Sequence, residues 1–154
     1  MDQLKIWVDG DACPQAVKAI LFKTAMRREV LTTVVANVSI RVPGSKFIDS
    51  IAVPDGADAA DKKIVDLMSA GDIVITADIP LASLVVQQQG VAIGTRGELY
   101  DESSVQSRLA SRNLGEQLRA AGMETKGPKP HTAKDTQAFA NQLDRMLTKQ
   151  MRKR

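Results

Sequence analysis

The sequence predicts an α/β fold: a three-layer sandwich with a mainly parallel central sheet of about five strands and additional helices toward the C-terminus. Short apolar, β-branched runs alternate with segments of helical period, which is the pattern of βαβ units and a sheet covered on both faces. Glycines close the helical segments, and a proline sits at a first helical turn. The chain has 154 residues, a length that suits one compact unit and leaves little room for a second.

The elements follow in order. Leu4 to Val8 (LKIWV) is a strand, and Pro14 to Arg28 is a helix with Val17, Ile20, Leu21 and Met26 near helical spacing. Val30 to Ala36 (VLTTVVA) is the second strand, and Phe47 to Val53 gives a weaker third. Ala59 to Ala70 is a helix, closed by Gly71, and Asp72 to Thr76 (DIVIT) is a strand. Ile79 to Gln89 is a helix ended by Gly90, and Val91 to Gly94 is a weaker strand. Two or three further helices follow: roughly Val105 to Ala121, with a break expected near Asn113 and Gly115, and then Asp135 to Met151.

Composition narrows the function classes. Hydrophobic residues are 44% and charged residues 25%, ordinary for a soluble globular protein and too apolar for a disordered one. The N-terminal stretch has no basic segment followed by an apolar one, and the longest uncharged run, Ile79 to Thr95, holds three glutamines and a proline. Neither a signal peptide nor a membrane span is expected. Cys13 is the single cysteine, which excludes an intrachain disulfide and a Cys-based zinc site and makes the reducing cytoplasm the expected location. At a helix start it is a position for a reactive thiol, but the one histidine is far away in sequence, so it reads as a small buried residue. The net charge of +3 is uneven: residues 1–100 hold 10 Lys/Arg against 12 Asp/Glu, and residues 101–154 hold 11 against 6. A basic late segment attracts polyanions or is a solvated helix end. Aromatics are 3%, too few for a base-stacking platform.

The acidic residues gather where the strands end. In open α/β sheets ligands bind outside the carboxyl ends of the strands. Asp78 ends DIVITAD, Asp9 and Asp11 follow LKIWV in VDGDACP, and Asn37 and Ser39 follow the second strand. In the segment Asp55 to Asp61, Asp58 is positioned to cap the following helix and Asp61 falls in its first turn. Asp11 is a candidate cap for the helix that starts at Pro14. Grouped carboxylates raise one another's pKa unless a cation neutralises them. Oxygen ligands without Cys or nearby His point to Mg2+ or Mn2+, and such a metal suits phosphodiester hydrolysis.

The motifs WVDGDACP (Trp7 to Pro14), VAN followed by Ser39, GADAAD (Gly56 to Asp61), GDIVITADIPLA (Gly71 to Ala82), RGELY (Arg96 to Tyr100) and GPKPHTAKDTQAFANQLD (Gly127 to Asp144) resemble the YaiI/YqxD family of uncharacterised bacterial proteins. That family is in turn similar to PIN-like nuclease domains. The resemblance implies one PIN-like α/β domain over residues 1–154, with a basic helical segment from about residue 126, and strand-end acids that bind divalent metal to cut RNA. Asp9 matches the first-strand acid of the PIN pattern, and Thr76 with Asp78 matches its later Thr-x-Asp. The intermediate acid is Asp58 or Asp61, where PIN nucleases usually carry a longer glutamate.

The site expected on this basis takes Asp9, Asp11, Asp61 and Asp78 as catalytic residues and Asp9, Asp58, Asp61 and Asp78 as metal ligands. Asn37, Ser39, Thr76 and Arg96 orient carboxylates or phosphate. The stiff segment before the last helix adds Lys126, Lys129, His131 and Lys134, phosphate-contact types ahead of a helix N-terminus. The same segment also reads as a linker in which Thr132 or Asp135 caps the helix, and His131 is a candidate general acid. Two other readings stand beside the nuclease. Asp9-x-Asp11 after an apolar strand is similar to haloacid-dehalogenase-type phosphatases, with Asp9 as nucleophile and Asp11 as general acid. The third reading is a non-catalytic module binding metal or RNA.

Overall fold

The structure, a computed structural model, describes residues 3–54, 56, 58–122 and 129–153. Its elements are β1 (Lys5–Asp9), a 3-10 turn (Gly10–Ala12), α1 (Gln15–Arg28), β2 (Leu31–Ala36), β3 (Ile48–Ala52), α2 (Ala59–Leu67), β4 (Ile73–Ile75), α3 (Ile79–Gln87), β5 (Val91–Ile93), β6 (Leu99–Tyr100), α4 (Glu102–Ala120) and α5 (Ala133–Arg152). Six strands form one sheet in the order β3-β2-β1-β4-β5-β6. All neighbouring pairs are parallel except β5 and β6.

Side-chain alternation along the strands builds two cores. Ile6 and Val8, level with Ile73 and Ile75, join Val34 and Ile93 against α1 and α5. Trp7, Val35, Val74 and Ala92 face the other way, onto α2, α3 and α4. Helix α5 supplies Phe139, Leu143 and Leu147, a stripe at helical spacing that is at most 1% exposed. Each such side chain contributes about 1.5–3 kcal/mol by leaving water. The helix starts at Ala133 with a capping box: Thr132 and Asp135 each satisfy the other's backbone amide. Both residues named as alternative caps therefore act together.

Two expectations change. Helix α4 is unbroken through Asn113 and Gly115. A helical glycine costs only about 1 kcal/mol relative to Ala, and the Asp101–Ser104 capping box sets the helix start firmly. A sixth strand, β6, lies inside the RGELY run; two residues carry no legible period. The β2–β3 crossover contains no helix, although the pair is parallel.

At the amino end of the sheet, Asp72 ties β4 to β1. Its carboxylate accepts from the Lys5 amide (3.2 Å), the Trp7 indole N–H (3.0 Å) and the Ser69 amide (2.9 Å). The carboxyl end is thereby left to the other aspartates.

Candidate functional site

Asp9 is the last residue of β1, on the face shared with Trp7, and is 8% exposed. Thr76, one residue past β4 and buried, donates from Oγ1 to Asp9 Oδ2 at 2.9 Å. The same hydroxyl accepts the Asp78 amide at 2.9 Å. Asp78 is the N-cap of α3, and its Oδ1 accepts the Leu81 amide at 2.9 Å. The strand-end carboxylate thus has a capping role as well as a place in the crevice, with one oxygen committed to the helix in this bond. Together Asp9, Thr76 and Asp78 link the ends of β1 and β4, where the strand order reverses.

Asp11 does not cap α1, whose N-cap is Pro14 without a side-chain bond. Its Oδ1 instead accepts the Asn37 amide at 2.8 Å and joins the loops after β1 and β2. Asn37 Oδ1 is buried with no hydrogen-bond partner among the described residues. Ser39 is exposed in the β2–β3 connection. Asp58 is the N-cap of α2 but makes no side-chain capping bond; its carbonyl accepts the Lys62 amide at 3.0 Å. Asp61 lies in the first turn of α2, half-buried.

The carboxylates feel one another. Burial, followed by repulsion from Asp78, Asp9 and Asp58 and a hydrogen bond with Asp78, pushes the Asp61 carboxyl up to about 7. Burial also raises the Asp9 pKa, opposed by the Thr76 hydroxyl, with Asp11 and Asp78 raising it further. None of these influences is a neighbouring cation. The donors are all oxygen, the chemistry a hard divalent ion takes. Among the described residues, no three His, Cys, Asp or Glu side chains converge closely enough to hold an ion by themselves. The donor set fits an ion that keeps several waters and takes one or two carboxylates.

The basic candidates are arranged differently. Arg96 pairs with Asp135 at 2.6 Å and donates to the carbonyls of Pro130 (3.2 Å) and Lys129. Its guanidinium therefore fastens the start of α5 to the β5–β6 turn. His131 Nε2 lies 2.8 Å from the Thr95 carbonyl, so this nitrogen carries the proton, and Nδ1 faces the Thr136 hydroxyl at 3.4 Å. Lys129 and Lys134 are exposed, and Lys126 lies outside the described residues. Burial pushes the Cys13 thiol up to about 12, leaving essentially no thiolate at neutral pH.

The pattern of strand-end acids did not reveal the apolar cleft beside them. Val65, Pro80, Leu81 and Leu84, together with Asp58 and Asp61, line a cavity of about 340 Å³ between α2 and α3. The available signal was the apolar face of both helices, which reads equally as core.

These features define a doubly wound α/β protein with an acidic crevice at the switch point between β1 and β4. The family model of the uncharacterised bacterial YaiI/YqxD proteins matches residues 7–149, and the chain belongs to that family. A "UPF0178 protein" of Maridesulfovibrio salexigens is 54% identical over 148 residues, covering 96% of this chain and 98% of that protein. One of the same title from Dechloromonas aromatica is 51% identical over 146 residues, covering 95% and 97%. A third, from Shewanella woodyi, is 52% identical over 146 residues with the same coverage. No solved structure matches the chain significantly. Among the described residues, no helix is long and apolar enough to cross a membrane.

Proposed function

We propose that the chain is a cytoplasmic, Mg2+- or Mn2+-dependent phosphodiester hydrolase, a PIN-like nuclease acting on RNA. The observation that carries this reading is the Asp9–Thr76–Asp78 hydrogen-bonded link across the switch point, with Asp61 beside it. Burial and the neighbouring aspartates raise the proton affinity of Asp9 and Asp61, which favours a divalent ion over a purely structural role. The resemblance of these same positions to the PIN pattern supports RNA as the substrate.

In this reading Asp9 and Asp78 hold the metal, assisted by Asp11, Asp58 or Asp61. A divalent ion held there would supply a water of lowered pKa and a Lewis acid for a phosphoryl oxygen. Thr76 orients the Asp9 carboxylate by donating to Oδ2. Asp78 keeps its direction through the Leu81 amide. Burial and the neighbouring aspartates push the Asp61 carboxyl up to about 7, and an ion that neutralises this repulsion would bring Asp61 into the ligand set. Asn37 and Ser39 orient carboxylates or the phosphate, and the basic segment from Lys129 to Lys134 steers the RNA backbone.

The test is incubation with Mn2+ and RNAs carrying labelled 5′-phosphates. Shortened fragments are expected, and Asp9→Asn should remove them. Thr76→Ala should lower the rate by about 10–100-fold, as loss of a group orienting a ligand does. Label released from full-length RNA would move the assignment to a phosphatase. Intact, labelled RNA would leave metal or RNA binding without catalysis.

A further inference from the structure

The α2–α3 cleft is at the small end of ligand clefts, which span about 300–1,000 Å³. At about 340 Å³ it has room for one ring system and none for a paired duplex. Its position ties it to the acidic crevice in two ways. Asp61 belongs to both, and Pro80 and Leu81 lie in the first turn of α3, whose N-cap is Asp78.

The lining is chemically divided. Leu81 is buried, Val65 half-buried and Leu84 is 44% exposed, so aliphatic faces meet whatever enters. Asp66, exposed, also lines the cleft, five residues beyond Asp61 on α2 and on the same helix face as Asp58 and Lys62. Three carboxylates against one lysine make the polar part of the lining an acceptor of hydrogen bonds and a poor place for phosphate. An apolar, planar group that brings its own N–H donors satisfies both parts. Adenine, cytosine and guanine each carry an exocyclic amino group, whereas uracil's donor is the ring N3–H, flanked by two carbonyl oxygens that carboxylates repel.

We propose that this cleft is a nucleobase subsite. It admits the base next to the cleaved linkage, with Val65, Leu81 and Leu84 against its faces and Asp66 accepting from an exocyclic amino group. The assignment of RNA as the source of that base rests on the hydrolase reading above. The consequence is selectivity: amino-bearing bases enter and uracil is disfavoured.

The experiment titrates the full chain with cytidine and with uridine, nucleosides that need neither metal nor phosphate contacts, while following the methyl resonances of Val65, Leu81 and Leu84. In parallel, C-tract and U-tract RNAs are cut in Mn2+. Cytidine is expected to move these methyls with an affinity about tenfold above uridine, the scale of one charge-assisted hydrogen bond. Asp66→Asn should bring the two nucleosides within about twofold, and Leu84→Ala should weaken both. Silent methyls with RNA still cut would overturn the subsite and leave the hydrolase standing. Methyl shifts with the expected selectivity but without RNA cleavage would support the subsite and sink the hydrolase. Methyls that respond to spermidine and not to nucleosides would overturn it in favour of an amine.

Discussion

Asp61 titrates near 3.8 when unperturbed and at about 7 in the fold. Between those values the native state holds a proton that the unfolded chain has released, so this group's contribution to stability is full below pH 3.8 and is lost as pH rises through 7. Exposure of much of the side chain screens the effect, which keeps it to about 1 kcal/mol or less. In chelator at pH 8, Asp61→Asn should therefore raise Tm by roughly 2–4 °C, with no gain at pH 4. Thermal melts at the two pH values check this, and an equal gain at both would show that the carboxylate's charge is not the cause. Asp9, Asp11 and Asp78 stood out in the sequence as strand-end acids beside apolar runs, and Asp61 as an acid in a helix's first turn. Thr76 and Asn37 were expected to orient carboxylates, but which acid each meets was not legible: the Thr76 hydroxyl reaches Asp9 across 67 positions of sequence, and the Asn37 backbone amide meets Asp11 across 26.

The periodic elements, β1, α1, β2, α2, β4, α3 and α5, were legible within a few residues of their ends. The docking of α5 was not, because it depends on a corner remote in sequence. Gly97 has φ +89°, and a Cβ there would lie 2.7 Å from the Ala138 backbone of α5. Beside it, Arg96 pairs with Asp135, and Gln142 donates to the Gly97 carbonyl at 3.1 Å. Gly97→Ala should cost about 2 kcal/mol or more, from positive φ and collision together. Arg96→Ala should cost about 1–2 kcal/mol through lost charge-assisted hydrogen bonds. Urea titration measures both. If Gly97→Ala matches the parent chain, this corner does not control how α5 packs.

The sheet as a whole separates its two ends. The amino end is sealed by Asp72, which is 2% exposed and accepts from Lys5, Trp7 and Ser69. Asp72→Ala strands three donors and should cost about 3 kcal/mol or more, while leaving the proposed RNA cleavage per folded molecule unchanged. Denaturation and specific activity of the folded fraction test the two halves of that statement, and an inactive but folded variant would place function at the wrong edge. The sequence by itself determined the α/β class, the two-faced covering of the strands and the positions of the acids along the chain, since periods of 2 and 3.6 are written into neighbouring residues. Tertiary structure alone decided that β4 lies beside β1, that α2 carries Asp61 to the same crevice, and that a cleft opens between α2 and α3. Strand order and helix docking depend on contacts between distant segments, and local period carries no record of those.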